Sequence, residues 1–119
     1  MVKLGAPRPV KAAISTPARA LNTIYQNNTG RPLLVVVCGT AYRANVAAAY
    51  ALVNAQIDDV TPPTDVQASC GLVSEDNNPE ELGWVLTIAV TPGWYYRVAT
   101  STGGAGSAVT LSQWTEIEL

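Results

Sequence analysis

The sequence predicts an all-β chain: an antiparallel β-sandwich, jelly-roll-like, with about seven strands behind an extended N-terminal arm. Three observations predict it. Short apolar runs alternate with clusters of Asn, Gly, Pro and Ser throughout residues 21–119. The stretch Trp84–Val90 alternates cleanly, with Trp84, Leu86, Ile88 and Val90 facing one way and Thr87 and Ala89 the other. Leu33–Val37 is an unbroken aliphatic run, the signature of a central strand covered on both faces.

Residues 1–20 read as an arm and residues 21–119 as one domain. Pro7, Pro9 and Pro17 exclude a long helix, and the few large hydrophobes before Leu21 follow no period. Such an arm needs something to hold it, most simply a neighbouring subunit. Leu21–Gln26 is the first expected strand, and Asn27, Asn28, Thr29 and Gly30 supply the turn that follows. Leu33–Val37 comes next, with Gly39 expected to close it. Tyr42–Ile57 is alanine-rich and reads two ways. Val46, Ala49, Tyr50, Val53 and Ile57 would line a helical face, whereas Val46, Ala48, Tyr50 and Leu52 alternate as in a strand. The all-β context decides for strand.

Pro62 and Pro63 then mark a turn before a strand at Val66–Val73, and Ser74–Gly83 reads as an exposed acidic loop. After the Trp84–Val90 strand, Thr91–Trp94 has Pro92 and Gly93 in the order of a type II turn. Tyr95–Ala99 continues as strand, Gly103, Gly104 and Gly106 make a loop, and Ala108–Glu116 is the last strand.

Composition narrows the class. The chain has 119 residues, enough for one core but not two. Its apolar share is 48% against 13% charged, so it is not a disordered tail, and its surface is poor in charge for an isolated domain. Coverage by partners or by its own copies accounts for that. Lys3, Arg8, Lys11, Arg19 and Arg31 all precede the first acid, Asp58, and after Arg43 every charge except Arg97 is negative. A basic head and an acidic body suggest head-to-tail contact between neighbouring subunits, or an acidic docking surface. Nucleic acid is the weaker reading, because no aromatics interleave with the basic residues.

Cys38 and Cys70 sit in apolar surroundings and read as buried thiols rather than a disulfide. No apolar run is long enough to span a bilayer, and no signal peptide is visible. Synthesis in the cytoplasm is therefore expected.

The inventory argues against catalysis. Histidine is absent, which removes the commonest general base and transition-metal ligand. No phosphate-binding loop, nucleophile elbow or dinucleotide fingerprint occurs, and no cofactor is expected. The acidic pairs Asp58–Asp59 and Glu80–Glu81 read as solvated loop charge rather than paired catalytic carboxylates. Residues 75–81 offer oxygen ligands but lack EF-hand spacing, so an acidic surface loop is the preferred reading. Asn27-Asn28-Thr29 matches a glycosylation acceptor and is read as turn chemistry only. Trp84, Trp94, Tyr95, Tyr96 and Trp114 gather in the C-terminal third. Trp84 and Tyr95 are candidate core aromatics; Trp94, at the tip of a turn, is the best contact candidate.

Three stretches carry a resemblance: RALNTIYQNNTGRPLLVVV (Arg19–Val37), VTPGWYYRV (Val90–Val98) and LSQWTEIEL (Leu111–Leu119). Together they resemble a β-sandwich module of tailed-bacteriophage virion proteins, found at tail-fibre tips and as small stand-alone structural proteins. The match runs from about Arg19 to the end and is weakest over Tyr42–Val73. The resemblance implies a homotrimer located in the virion. A short arm with one sandwich, lacking a long shaft, implies a capsid decoration protein docked through Lys3, Arg8, Lys11 and Arg19. The alternative it implies is a tail-associated, glycan-gripping tip. Arg31, Trp94, Tyr96 and Trp114 are then the residues expected at subunit or glycan contacts.

Overall fold

A computed structural model describes residues 13–73 and 79–119, which form eight strands and no helix. They are β1 (Ala13–Ser15), β2 (Tyr25–Gln26), β3 (Leu33–Arg43), β4 (Tyr50–Asp58), β5 (Asp65–Val73), β6 (Glu80–Val90), β7 (Tyr95–Gly103) and β8 (Ala108–Glu118). Two four-stranded antiparallel sheets result, ordered β1-β8-β3-β6 and β2-β7-β4-β5. The expected all-β sandwich is the observed architecture.

Period-two patterning explains the layering. Val35, Val37, Leu86, Ile88 and Trp114 from one sheet pack against Val53, Ala55, Tyr96 and Val98 from the other. Of the strand expected over Tyr42–Ile57, only Tyr50–Ile57 lies in β4; Tyr42 and Arg43 end β3, residues 44–49 turn the chain between them, and β4 has the opposite parity to the expected one. Ala49, Ala51, Val53, Ala55 and Ile57 face inward, while Tyr50 and Leu52 face out. The small inward alanines leave space between the sheets for Trp84 and Trp114.

Four other expectations are corrected. Leu21–Gln26 is strand only at Tyr25–Gln26, because Asn22 takes a left-handed φ of 61°. Its amide instead bonds β7, donating from Nδ2 to Thr100 Oγ1 and accepting from the Thr100 N–H, both at 2.8 Å. Gly39 does not close β3; the strand runs on to Arg43, and the β8 register slips by one residue beside it. A side chain at Gly39 would strike the Thr110 carbonyl and come within 2.8 Å of the Trp84 ring, so glycine is required there. Glu80 and Glu81 belong to β6 rather than to a loop. Finally, β3 is covered on its inner face only, leaving Leu34, Val36 and Cys38 half-exposed on the other.

Residues 13–20 also belong to the folded body. β1 adds to the free edge of β8, pairing Ala13 with Glu118 and Ser15 with Glu116. The arm of residues 1–20 is thus fixed by its own chain at least from Ala13. Its earlier part, with Lys3, Arg8 and Lys11, lies outside the described residues, as do residues 74–78 of the acidic loop.

Asn27 joins the two turns at one end of the sandwich. Its buried Nδ2 donates to the carbonyls of Arg31 (2.8 Å) and Val90 (2.9 Å), and its Oδ1 accepts from the Thr29 N–H and hydroxyl. Its backbone exchanges hydrogen bonds with Trp94 and Gly93 in the facing turn. That turn is the expected one: Gly93 has a φ of 85° and Trp94 N–H returns to Thr91 at 3.0 Å. With its amide enclosed, Asn27 serves the turn and offers no acceptor for a sugar. Asn27→Ala removes the side-chain donor to the buried Val90 carbonyl and leaves the Arg31 carbonyl only the Thr29 hydroxyl; it should cost about 2 kcal/mol, read as a lowered urea midpoint at unchanged m-value.

Candidate functional site

Glu116 is the buried carboxylate around which the polar chemistry of the described residues gathers. Because β8 alternates, Glu116 shares the inward face with Trp114, and it is only 7% exposed. A carboxylate in that position must be neutralised or fully hydrogen-bonded. Both conditions are met. Oε2 accepts from Tyr96 Oη at 2.6 Å, Trp114 Nε1 at 3.0 Å and Arg19 Nε at 3.2 Å, and Oε1 lies 3.4 Å from a second Arg19 nitrogen.

An aromatic wall encloses the group. Tyr25, Tyr96 and Trp114 pack with ring centroids 5.8–6.4 Å apart. The Arg19 guanidinium lies 4.3 Å above the Tyr25 ring, and Tyr25 Oη accepts from the Ala20 N–H at 2.8 Å. Each contact ties the segment before β2 to the sheets.

Burial by itself raises the Glu116 pKa, but hydrogen bonds from Arg19, Tyr96 and Trp114 outweigh it, and the carboxyl ends below its ordinary value. Burial, reinforced by the hydrogen bond to Glu116, pushes the Tyr96 phenol well above its ordinary value. A general base needs a free lone pair and a pKa near its working pH. Glu116, with three donors on Oε2 and a pKa held below its ordinary value, is instead arranged to hold a charge in place and fasten a chain segment.

The expected contact residues therefore separate. Arg19 faces Glu116 of its own chain instead of a partner's acid. Tyr96 and Trp114, 1% and 3% exposed, are core residues, which corrects their reading as contact candidates. Tyr95 and Tyr96 exchange the expected roles: Tyr96 faces in, and Tyr95 lies on the outer face opposite Asp58. Trp94 is half-buried against the core edge, beside exposed Pro92 and Gly93. Arg31 is exposed, and its guanidinium has no hydrogen bond or ion pair among the described residues.

Sequence reasoning missed Arg43, which closes the other end of the sandwich. It points inward from β3, donates to the Val73 carbonyl at 2.7 Å and lies 3.3 Å from Glu80. Two basic residues of the head thus meet acids of the body within one chain, the contact expected between subunits. The signal for Glu116 was present, since it follows Trp114 by two residues and so shares its face.

Cys38 and Cys70 are free, and both are half-buried rather than buried. Cys70 faces the core, where burial raises its pKa, and Cys38 faces out. Among the described residues no group of three or more His, Cys, Asp or Glu could hold a metal ion. No family model matches the chain, and no curated protein matches it.

Because its pKa is depressed, Glu116 contributes stability that is complete above the unfolded-state value of about 4.3. That contribution disappears as pH falls through the lower folded-state value. Glu116→Gln should therefore cost about 2 kcal/mol at neutral pH. The gap from wild type should narrow progressively in acid, as checked by urea denaturation across that range.

Proposed function

We propose that this chain is a non-enzymatic structural protein of a tailed-bacteriophage virion: a trimeric capsid decoration protein that docks through its N-terminal arm. The observation that carries this reading is the rooted arm. β1 is an edge strand on β8 and Arg19 is locked to Glu116, so residues 1–12 depart from a fixed point on the sandwich. That segment brings Lys3, Arg8 and Lys11 and no acid, chemistry suited to gripping acidic surfaces of a shell. An anchored root transmits load from the grip to the sandwich, as a cement protein requires. The resemblance carried by the three motifs supports the virion setting.

The second reading is a tail-associated tip that binds a host glycan. It is favoured by the end where the Asn27 turn meets the Pro92–Gly93 turn, which holds half-exposed Trp94 together with Arg31, whose guanidinium has no partner among the described residues. Trp stacking and an exposed guanidinium suit an acidic sugar.

Removing residues 1–12 should leave a folded protein of unchanged oligomeric mass that no longer binds phage particles. Unchanged particle occupancy would sink the docking proposal. For the second reading, Trp94→Ala should weaken binding of the intact protein to bacterial polysaccharide at least tenfold, with Arg31→Ala additive. Absence of polysaccharide binding by the wild type would dismiss it.

A further inference from the structure

Residues 13–20 are attached to the rest of the chain at two places with a gap between them. The first is β1, whose three residues pair with Glu116–Glu118 while all three side chains stand exposed, Ile14 at 60%. The second is the Arg19–Ala20 pair. Arg19 is the one side chain of this segment with a hydrogen bond or ion pair to the sandwich among the described residues, and the Ala20 N–H donates to Tyr25 Oη. Between the two, Thr16, Pro17 and Ala18 make no hydrogen bond among the described residues, and Pro17 has no N–H to donate.

The chain just beyond is fixed differently. Leu21 packs against the core, and Asn22 is clamped to β7 by three hydrogen bonds of 2.8 Å. Its N–H donates to the Val98 carbonyl, its Nδ2 donates to Thr100 Oγ1, and its Oδ1 accepts from the Thr100 N–H. A boundary between lightly and firmly held chain therefore falls at Leu21. Segments with little apolar burial and exposed backbone pairing open locally at a fraction of the cost of global unfolding. The ion pair is built to part in one direction. Arg19 keeps 27% of its side chain exposed against 8% for Glu116, so the arginine leaves and the carboxylate stays. Glu116 then retains its hydrogen bonds from Tyr96 and Trp114, so opening strands no bare buried charge.

We infer that residues 13–20 form a detachable strap, latched by Arg19 on Glu116, which opens as a unit while the sandwich stays folded. Opening frees the β8 edge at Glu116–Glu118 and moves the root of the arm from Ala13 to Leu21. It adds about 25 Å of reach at full extension. For an arm that docks on a shell this is a reserve of length, and that use alone rests on the docking reading; the strap itself does not.

Trypsin reads the opening, because cleavage of a folded protein follows the population of the locally open form. The Arg19–Ala20 bond becomes available when the strap leaves. Arg43 ends β3 and Arg97 lies within β7, so cuts there need the sandwich itself to unfold. The full chain should give a fragment beginning at Ala20 while Arg43 and Arg97 remain uncut. Glu116→Gln should speed the Arg19 cut at least tenfold. Leu72→Val, a core change on β5 far from the latch, should lower the urea midpoint and leave the Arg19 rate unchanged. Cutting at Arg43 in step with Arg19, an Arg19 rate that rises in Leu72→Val, or an unchanged rate in Glu116→Gln overturns the inference. A strap that opens as described in a protein that binds no phage particle overturns the docking reading alone.

Discussion

The Glu116 carboxylate is the constraint around which one end of this molecule is arranged. Alternation along β8 forces it onto the same side as Trp114, inside the sandwich, where an unpaired charge would be very costly. Three donors from three places in the chain remove that cost: Arg19 before β2, Tyr96 on β7 and Trp114 on β8 itself. The group thereby links the N-terminal segment, one strand of each sheet and the aromatic wall. Replacing the whole set with apolar residues of equal volume could preserve stability. It would not preserve the attachment of residues 16–20, because nothing apolar would hold an arginine to that position.

Much of the architecture was legible because it rests on local rules. Trp84–Val90 alternates in sequence and alternates in burial, and Thr91–Trp94 makes the turn that its Pro-Gly order specifies. Failures arose where a long-range contact overrode a local preference. Gly39 looks like a strand end, yet it lies mid-strand because the Trp84 ring from β6 and the Thr110 carbonyl from β8 need the space. The strand parity of Tyr50–Asp58 was misassigned because alanine scores weakly as a core residue, and only the tryptophans in the facing sheet reveal why small residues point inward.

The candidate site was legible in its members and not in its arrangement. Arg19, Tyr96 and Trp114 all stood out in the sequence, but as residues reaching for partners. The structure gathers them on one another. Basic residues early in the chain and acids late in it do imply attraction between the two halves. Sequence order cannot say whether that attraction closes within a chain or between chains, because both satisfy the same Coulomb term. Arg19–Glu116 and Arg43–Glu80 close it within the chain, at opposite ends of the sandwich.

The run Leu33–Val37 shows how an expectation that fails can still be informative. Five consecutive aliphatic residues call for cover on both faces, and a two-layer sandwich supplies only one. Leu34 and Val36 stand outward nonetheless, Leu34 between Ala89 and Ile117 and Val36 between Thr87 and Thr115, so the neighbouring strands supply the hydroxyls that β3 lacks. The Arg19–Glu116 and Arg43–Glu80 pairs close within the chain, so early basic and late acidic charge does not by itself require contact between subunits.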